Sequence, residues 1–236
     1  MTVRVTKETQ PRVVLKGANS GSVNSGVLSG SGDGVRVSMT FTATAEPLII
    51  IPYGNVAEAQ LEAGSFPTSY IPTSGSQQTR SADLASIPVT AFGYNQDAGT
   101  IVVEASKFGN NNYPRTAMLD SSTEANSIGL GAWDDPTALF GFIVSGGVVQ
   151  ASIWLGANGS VGTSVFKHGL AFTENSANAA VNGFIGSEDT TVTLPEVTTL
   201  RLGRNEQISQ HLNGHIKSLK YFPRRLTDAQ LQELTS

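Results

Sequence analysis

Cysteine is absent from all 236 residues, which removes disulfide frameworks and thiolate metal sites together. A secreted chain of this size commonly carries disulfides, so their absence fits assembly in a reducing cytoplasm. Charge is scarce as well. Asp, Glu, Lys and Arg make up 14% of the chain, against about a quarter in ordinary domains. The net charge is −4 and no basic cluster exceeds the pair Arg224-Arg225, so the basic stripe of a nucleic-acid footprint is missing. No apolar run approaches the ~20 residues that cross a bilayer. The opening MTVRVTKETQ has no apolar core of the secretory-signal kind. Neither nucleic-acid binding nor membrane insertion is expected.

What the chain does have is 39% hydrophobic residues, enough to fill a core, in a background of Gly, Ser, Thr, Asn and Ala. That composition does not suit a disordered chain. It suits a β-rich protein displayed on the outside of a cell or particle.

Four stretches separate along the sequence. Residues 1–34 open with Val3 and Val5, continue through Val13-Val14-Leu15, and run into the Gly/Ser-rich GANSGSVNSGVLSGSGDG. They read as an extended N-terminal arm that a neighbour must order, the alternative being a flexible linker. Residues 35–63 read as a small β unit for attachment or oligomerisation. Val35, Val37, Met39, Phe41 and Ala43 alternate with Arg36, Ser38, Thr40, Thr42 and Thr44, the period of a half-buried strand. After Pro47, Leu48–Ile51 supply a second, wholly apolar strand. Two strands cannot make an independent core, so this unit is expected to pack on the C-terminal domain, on another copy, or on a partner. Residues 64–78 read as a linker, and 79–236 as one complete domain.

In that last stretch, strand candidates recur between turn signals at Thr100–Ala105, Thr116–Leu119, Ile128–Trp133, Leu139–Val144 and Val148–Leu155. Others follow at Ser164–Thr173, Ala179–Val181, Thr190–Leu194, Thr199–Leu202 and His215–Phe222. Ser145-Gly146-Gly147, Asn182-Gly183 and Asn213-Gly214 read as hairpin turns, since glycine supplies the positive φ of a primed turn. The pattern predicts an all-β antiparallel sandwich. A single short helix closes it inside Thr227–Thr235, opened by a Thr227/Gln230 capping box with Leu226 and Leu231 as the staple.

The stretch Gln60–Arg80, QLEAGSFPTSYIPTSGSQQTR, is too specific to be filler. Pro67 and Pro72 force extended backbone on Phe66 and Ile71, and three large apolar side chains sit among seven Ser/Thr residues. It resembles the junction found in tail-fibre and other virion-surface proteins of tailed bacteriophages. There it follows a β-sandwich remnant and precedes a laminin-G-like (concanavalin A-like) jelly roll. The ending is similar to the last strand and helix of those domains at Gly214, Ile216, Leu219, Tyr221, Arg225, Leu226 and Thr227. The resemblance covers roughly residues 35–236. It implies a virion protein assembled in the bacterial host cytoplasm, with other virion proteins as partners and a trimer as the favoured homo-oligomer.

Chemistry is sparse. Concanavalin A-like glucanases alternate paired acids on one strand so that two carboxyls flank one bond; here Glu104 is alone on its strand and Glu188-Asp189 falls in a predicted turn. No serine occupies a Gly-x-Ser-x-Gly elbow. His211 and His215 lie across a predicted turn rather than on a helix, and His168 reads as a structural histidine. Asp134-Asp135 beside Asn-rich loops reads as a solvated turn rather than a calcium site. No catalytic residue, metal or cofactor is assigned.

The better local signal is for a sugar. Trp133-Asp134-Asp135 sets an aromatic face beside carboxylate acceptors, a pair that stacks on a pyranose and bonds its hydroxyls. Trp154 shares the polar face of its strand with Gln150 and Ser152, while Val149, Ala151, Ile153 and Leu155 fill the other. Tyr113 ends the polar loop Asn110-Asn111-Asn112. These five residues, Trp133, Asp134, Asp135, Tyr113 and Trp154, are the glycan-binding candidates; burial of the tryptophans under loops or under residues 35–80 is the competing reading. The sequence therefore leads to a non-enzymatic virion protein, a tail fibre or surface appendage, displaying a jelly roll toward host-surface glycan. The alternatives are a purely structural capsid decoration or head-fibre protein and, least favoured, a glycan-processing enzyme.

Overall fold

The computed structural model describes residues 2–5, 12–18, 21–24, 35–38, 49–53, 56–63, 68–79, 81–107, 113–132, 138–156 and 165–236. The chain forms two compact units, Met1–Arg80 and Ser81–Ser236.

In the first unit, the stretch expected as an extended arm carries, among its described residues, strands β1 (Thr2–Val5), β2 (Arg12–Ala18) and β3 (Gly21–Asn24). These pair with β4 (Val35–Ser38), β5 (Ile49–Tyr53) and β6 (Val56–Gln60). Two three-stranded sheets result, ordered β4-β1-β6 and β3-β2-β5, with every pairing antiparallel. Of these strands, β3 falls in the Gly/Ser-rich run, where low side-chain bulk gives little strand signal although backbone pairing needs none. The second half of the expected strand Val35–Ala43 lies outside the described residues.

The junction that follows is tied by its own side chains. The Glu62 carboxylate accepts the Thr68 N–H at 2.7 Å and the Thr68 hydroxyl at 2.5 Å. The Gln60 amide accepts the Ile71 N–H at 2.7 Å and donates to Thr68 Oγ1 and the Ser69 carbonyl, both at 3.3 Å. The polar residues of the motif thus satisfy backbone groups that an irregular segment would otherwise leave to water.

The second unit is an antiparallel β-sandwich with a jelly-roll fold. Its strands are β7 (Ser86–Pro88), β8 (Ala98–Lys107), β9 (Arg115–Asp120), β10 (Ser127–Ala132), β11 (Leu139–Ser145) and β12 (Val148–Trp154), then β13 (Val165–Thr173), β14 (Ser176–Val181), β15 (Phe184–Ile185), β16 (Thr199–Leu202) and β17 (Gly214–Phe222). One sheet is ordered β12-β11-β10-β9-β16-β7, the other β15-β14-β13-β8-β17. Alternate residues from both meet in one core, including Ile101 and Val103, Ala117 and Leu119, Ile128 and Leu130, and Phe166, Leu170 and Phe172. Period-two alternation makes this possible, as it sends every second side chain inward.

Helix α1 (Asp228–Thr235) covers the outer face of the five-stranded sheet, where Leu231 packs on Val102, Ala171 and Ala180. The helix thereby buries Val102 on the outer face of β8. Thr227 caps the helix with a full capping box to Gln230. Arg225 holds both Glu188 and Asp228, at 2.9 and 3.1 Å, beside the helix start.

Three local expectations differ. Thr190–Leu194 is not a strand: it runs irregularly beside β14 after a lone Ala177–Asp189 bridge. Val192 is still buried and its carbonyl accepts the Asn175 N–H at 2.8 Å. Pro195 interrupts a ladder there, having no N–H. Gly146-Gly147 and Asn182-Gly183 are turns with positive φ, but Asn213-Gly214 is not. Gly214 opens β17 opposite Lys107, and a Cβ there would overlap the Ser106 carbonyl oxygen. Finally, Val149 is exposed rather than buried. A bulge pairs Ile143 with Ala151 but Val144 with Val149, so Gln150 is the extra residue and Val149 changes face.

Candidate functional site: the outer face of the six-stranded sheet

Trp133, Asp134 and Asp135 lie outside the described residues, as do Asn110, Asn111 and Asn112. Tyr113 is partly buried with φ of 45°, a left-handed conformation uncommon for an aromatic residue, just before Pro114 and β9. Trp154 is placed clearly. It ends the edge strand β12 and is 44% exposed, while Ala151, Ile153 and Leu155 face the core. Ser152 shares its open face.

Trp154 belongs to a wider patch. Its ring stacks on Phe140 of β11, centroids 5.7 Å apart and planes at 29°. Phe140 lies 5.8 Å from Phe142. Met118 of β9 joins the two phenylalanines in a cluster separate from the sandwich core. The rings lie flat because of the strand beside them. Gly131 pairs with Phe140 and Gly129 with Phe142. A Cβ on Gly129 would come within 2.7 Å of the Phe142 ring, and one on Gly131 within 2.8 Å of Phe140. Glycines under aromatic cross-strand partners are a recognised sheet device.

Arg115 completes the patch, and sequence reasoning missed it. The β9–β10 register shifts so that Leu130 pairs with Ala117 but Gly131 with Arg115, leaving Thr116 as the extra residue. Thr116 turns inward: its hydroxyl donates to the Leu130 carbonyl at 3.1 Å and lies 2.6 Å from His168 Nε2. With Thr116 inward, Arg115 is re-aimed to the outer face. Its guanidinium carbon sits 4.5 Å from the Phe142 ring centroid and 5.4 Å from that of Phe140, within cation–π range. The Nε and Nη1 groups are buried without acceptors, an arrangement that costs about 1–3 kcal/mol for each unmet donor. Burial pulls the guanidinium pKa below its usual value, with Glu124 and Glu206 working in the opposite direction. The readable signal was the Gly-x-Gly of β10 set against the Phe-x-Phe of β11.

Two other arginines have different surroundings. Arg201 forks onto Asp120, Nε to Oδ2 at 2.6 Å and Nη2 to Oδ1 at 3.0 Å, which raises the Arg201 pKa. Arg204 donates to the Asn205 carbonyl at 3.0 Å but keeps a buried Nε without an acceptor. Glu206 Oε2 and Gln210 Oε1 are also buried and unmet. They sit on the loop whose Gln210 carbonyl accepts the Arg115 backbone N–H at 3.1 Å.

Glu104 is bonded by Lys217 across the strand pair at 2.6 Å, which lowers its pKa. His168 is wholly buried, and desolvation drives its pKa down to about 3. His211 Nε2 lies 3.1 Å from the Ile208 carbonyl. Among the described residues, no three His, Cys, Asp or Glu side chains group as a metal site.

No protein-family model and no curated protein sequence matches this chain. Solved structures do match in fold. The CBM40 module of a Ruminococcus gnavus IT-sialidase, solved with α2,6-sialyllactose, superposes with a TM-score of 0.53 at 15% identity, covering 65% of this chain and 93% of that one. The same module with α2,3-sialyllactose gives 0.52 at 15%, covering 62% and 86%. NanB sialidase of Streptococcus pneumoniae gives 0.50 at 16%, covering 63% of this chain and 26% of that one. At these identities the likeness is one of fold: the second unit is a jelly roll of the kind seen in carbohydrate-binding modules.

Proposed function

We propose that this chain is a non-enzymatic, glycan-binding jelly-roll protein carried on the surface of a phage virion. The observation that carries the glycan reading is Trp154, nearly half exposed and held against Phe140 on the outer sheet face. A stacked, rigid indole beside Ser152 offers a sugar ring an apolar face and a hydroxyl partner at small entropic cost. Trp133, Asp134, Asp135 and Tyr113 remain candidates on the sequence pattern. The fold supports the reading too, because the sialidase modules it resembles were solved with sialyllactose bound.

The virion context rests on the junction Gln60–Arg80 and the closing strand and helix, which resemble phage tail-fibre proteins. In that setting residues 1–63 attach the protein to other virion proteins as a trimer, and the second unit faces the host.

Binding of the full chain to host polysaccharide and to a glycan array tests the function. Trp154→Ala and Trp133→Ala should each weaken binding several-fold while the melting temperature holds. If neither changes binding and both lower the melting temperature, the tryptophans are packing residues and the glycan reading falls.

A further inference from the structure

We propose that residues 203–213 are a hinged flap, latched to the Arg115 guanidinium by Glu206 and Gln210, that lifts as one body to uncover the Arg115 end of the aromatic patch. The inference goes beyond the glycan reading and stands without it.

The segment between β16 and β17 has the build of an Ω-loop, a compact surface loop of roughly 6–16 residues whose ends lie together. Its neck is tied twice: the Leu212 N–H donates to the Gly203 carbonyl at 2.8 Å, and the Gly203 N–H donates to the Thr116 carbonyl at 3.0 Å. Gly203 takes a φ of 68°, a left-handed turn that glycine makes at no steric cost.

The body of the loop is held from within. Asn205 is buried, accepts the Ser209 N–H at 2.9 Å and donates to the Ser209 hydroxyl at 3.0 Å. Arg204 donates to the Asn205 carbonyl at 3.0 Å, and His211 Nε2 lies 3.1 Å from the Ile208 carbonyl. Ile208 at the tip has a φ of 59°, which a β-branched residue keeps only where its surroundings over-determine it. A loop braced in this way moves whole rather than fraying.

The boundary between this body and the sheet is of another kind. The Arg115 N–H crosses it to the Gln210 carbonyl at 3.1 Å, and Asn205 Nδ2 crosses it to Glu124 Oε1 at 2.9 Å. Beside these bonds, Arg115 Nε and Nη1 are buried donors without acceptors, while Glu206 Oε2 and Gln210 Oε1 are buried acceptors without donors. Glu206 still acts on the Arg115 charge. The two sets are complementary and stand on opposite sides of the boundary. Closing the flap further joins them, and lifting it gives both to water. Each unmet atom raises the free energy of the intermediate position, so this boundary parts more readily than the neck, where Leu212 packs on the sandwich core.

Native-state hydrogen exchange of the full chain, followed amide by amide, tests the flap. The Arg115 amide should show a protection factor about tenfold or more below those of Gly203 and Leu212, and no response to low urea, the mark of local opening. Glu206→Ala should lower the Arg115 protection several-fold further while the neck amides and the melting temperature hold. Glu206→Gln, which keeps an acceptor, should restore part of it. Equal protection of Arg115 and the neck overturns the flap. Arg115 protection that Glu206→Ala does not move overturns the latch, and the proposal with it. A Ser209 amide that exchanges faster than that of Arg115 shows a loop that frays, which overturns the proposal too. If Glu206→Ala does not fold, the comparison of Arg115 with Gly203, Leu212 and Ser209 in the unaltered protein decides.

Discussion

The His168 ring nitrogen Nε2 lies 2.6 Å from the Thr116 hydroxyl, joining the two sheets through the middle of the core. Because that hydroxyl donates to the Leu130 carbonyl, His168 is the donor to Thr116 and its Nδ1 is left buried without a partner. One core contact thus holds the bulge that sets the orientation of Arg115 on the far side of the sheet.

The same contact makes stability depend on pH. Desolvation depresses the His168 pKa to about 3, against about 6.5 in the unfolded chain. Between these values the unfolded state binds the extra proton, so stability is full above pH ~6.5 and falls as pH drops, by at most ~1.4 kcal/mol per pH unit from this group. His168→Gln should flatten the curve between pH ~6 and ~4 in urea titrations. An unchanged slope would mean that carboxylates alone set the acid response.

Asp120 is wholly buried and accepts the Arg201 fork as well as the Ser122 N–H at 2.7 Å. Asp120→Ala should cost about 3 kcal/mol, since it strands a guanidinium with little access to water. Chemical denaturation measures this, and a loss below ~1 kcal/mol would show the pair to be only a surface bridge.

Gly214→Ala should destabilise more than glycine's place at a strand end suggests. Its Cβ would overlap the Ser106 carbonyl and force β17 away from β8. A loss of about 1–3 kcal/mol or more is expected from such overpacking, read as a drop in melting temperature. Near-neutral behaviour would place β17 in a different register.

Glu62→Ala should release the junction, because two bonds to Thr68 depend on that carboxylate. Limited proteolysis between residues 61 and 79 should accelerate several-fold while the melting temperature of the second unit stays put. Unchanged cleavage would mean that other bonds, among them those of Gln60 to Ile71 and Ser69, hold the segment.

The sequence by itself determined the sandwich class, most strands of the second unit, the Gly146-Gly147 and Asn182-Gly183 turns and the capped helix at Thr227. Each depends on about ten neighbouring residues: a period of two, a glycine able to take positive φ, or a side chain reaching its own backbone three residues on. Trp154 was legible for the same reason, as the wrong residue on the polar side of an alternating strand. Tertiary structure alone decided what crosses between strands. Thr2–Val5 and Arg12–Ala18 are strands because β4, β5 and β6 are there to pair with them, and Gly21–Asn24 pairs with Arg12–Ala18. Thr190–Leu194 lost its ladder, and Val149 and Arg115 changed faces at bulges. A bulge is a two-against-one mismatch with a partner strand, so no reading of one strand's alternation can see it. The Arg115 patch needed β9, β10, β11 and β12 side by side before its donors, glycines and rings could be recognised as one surface.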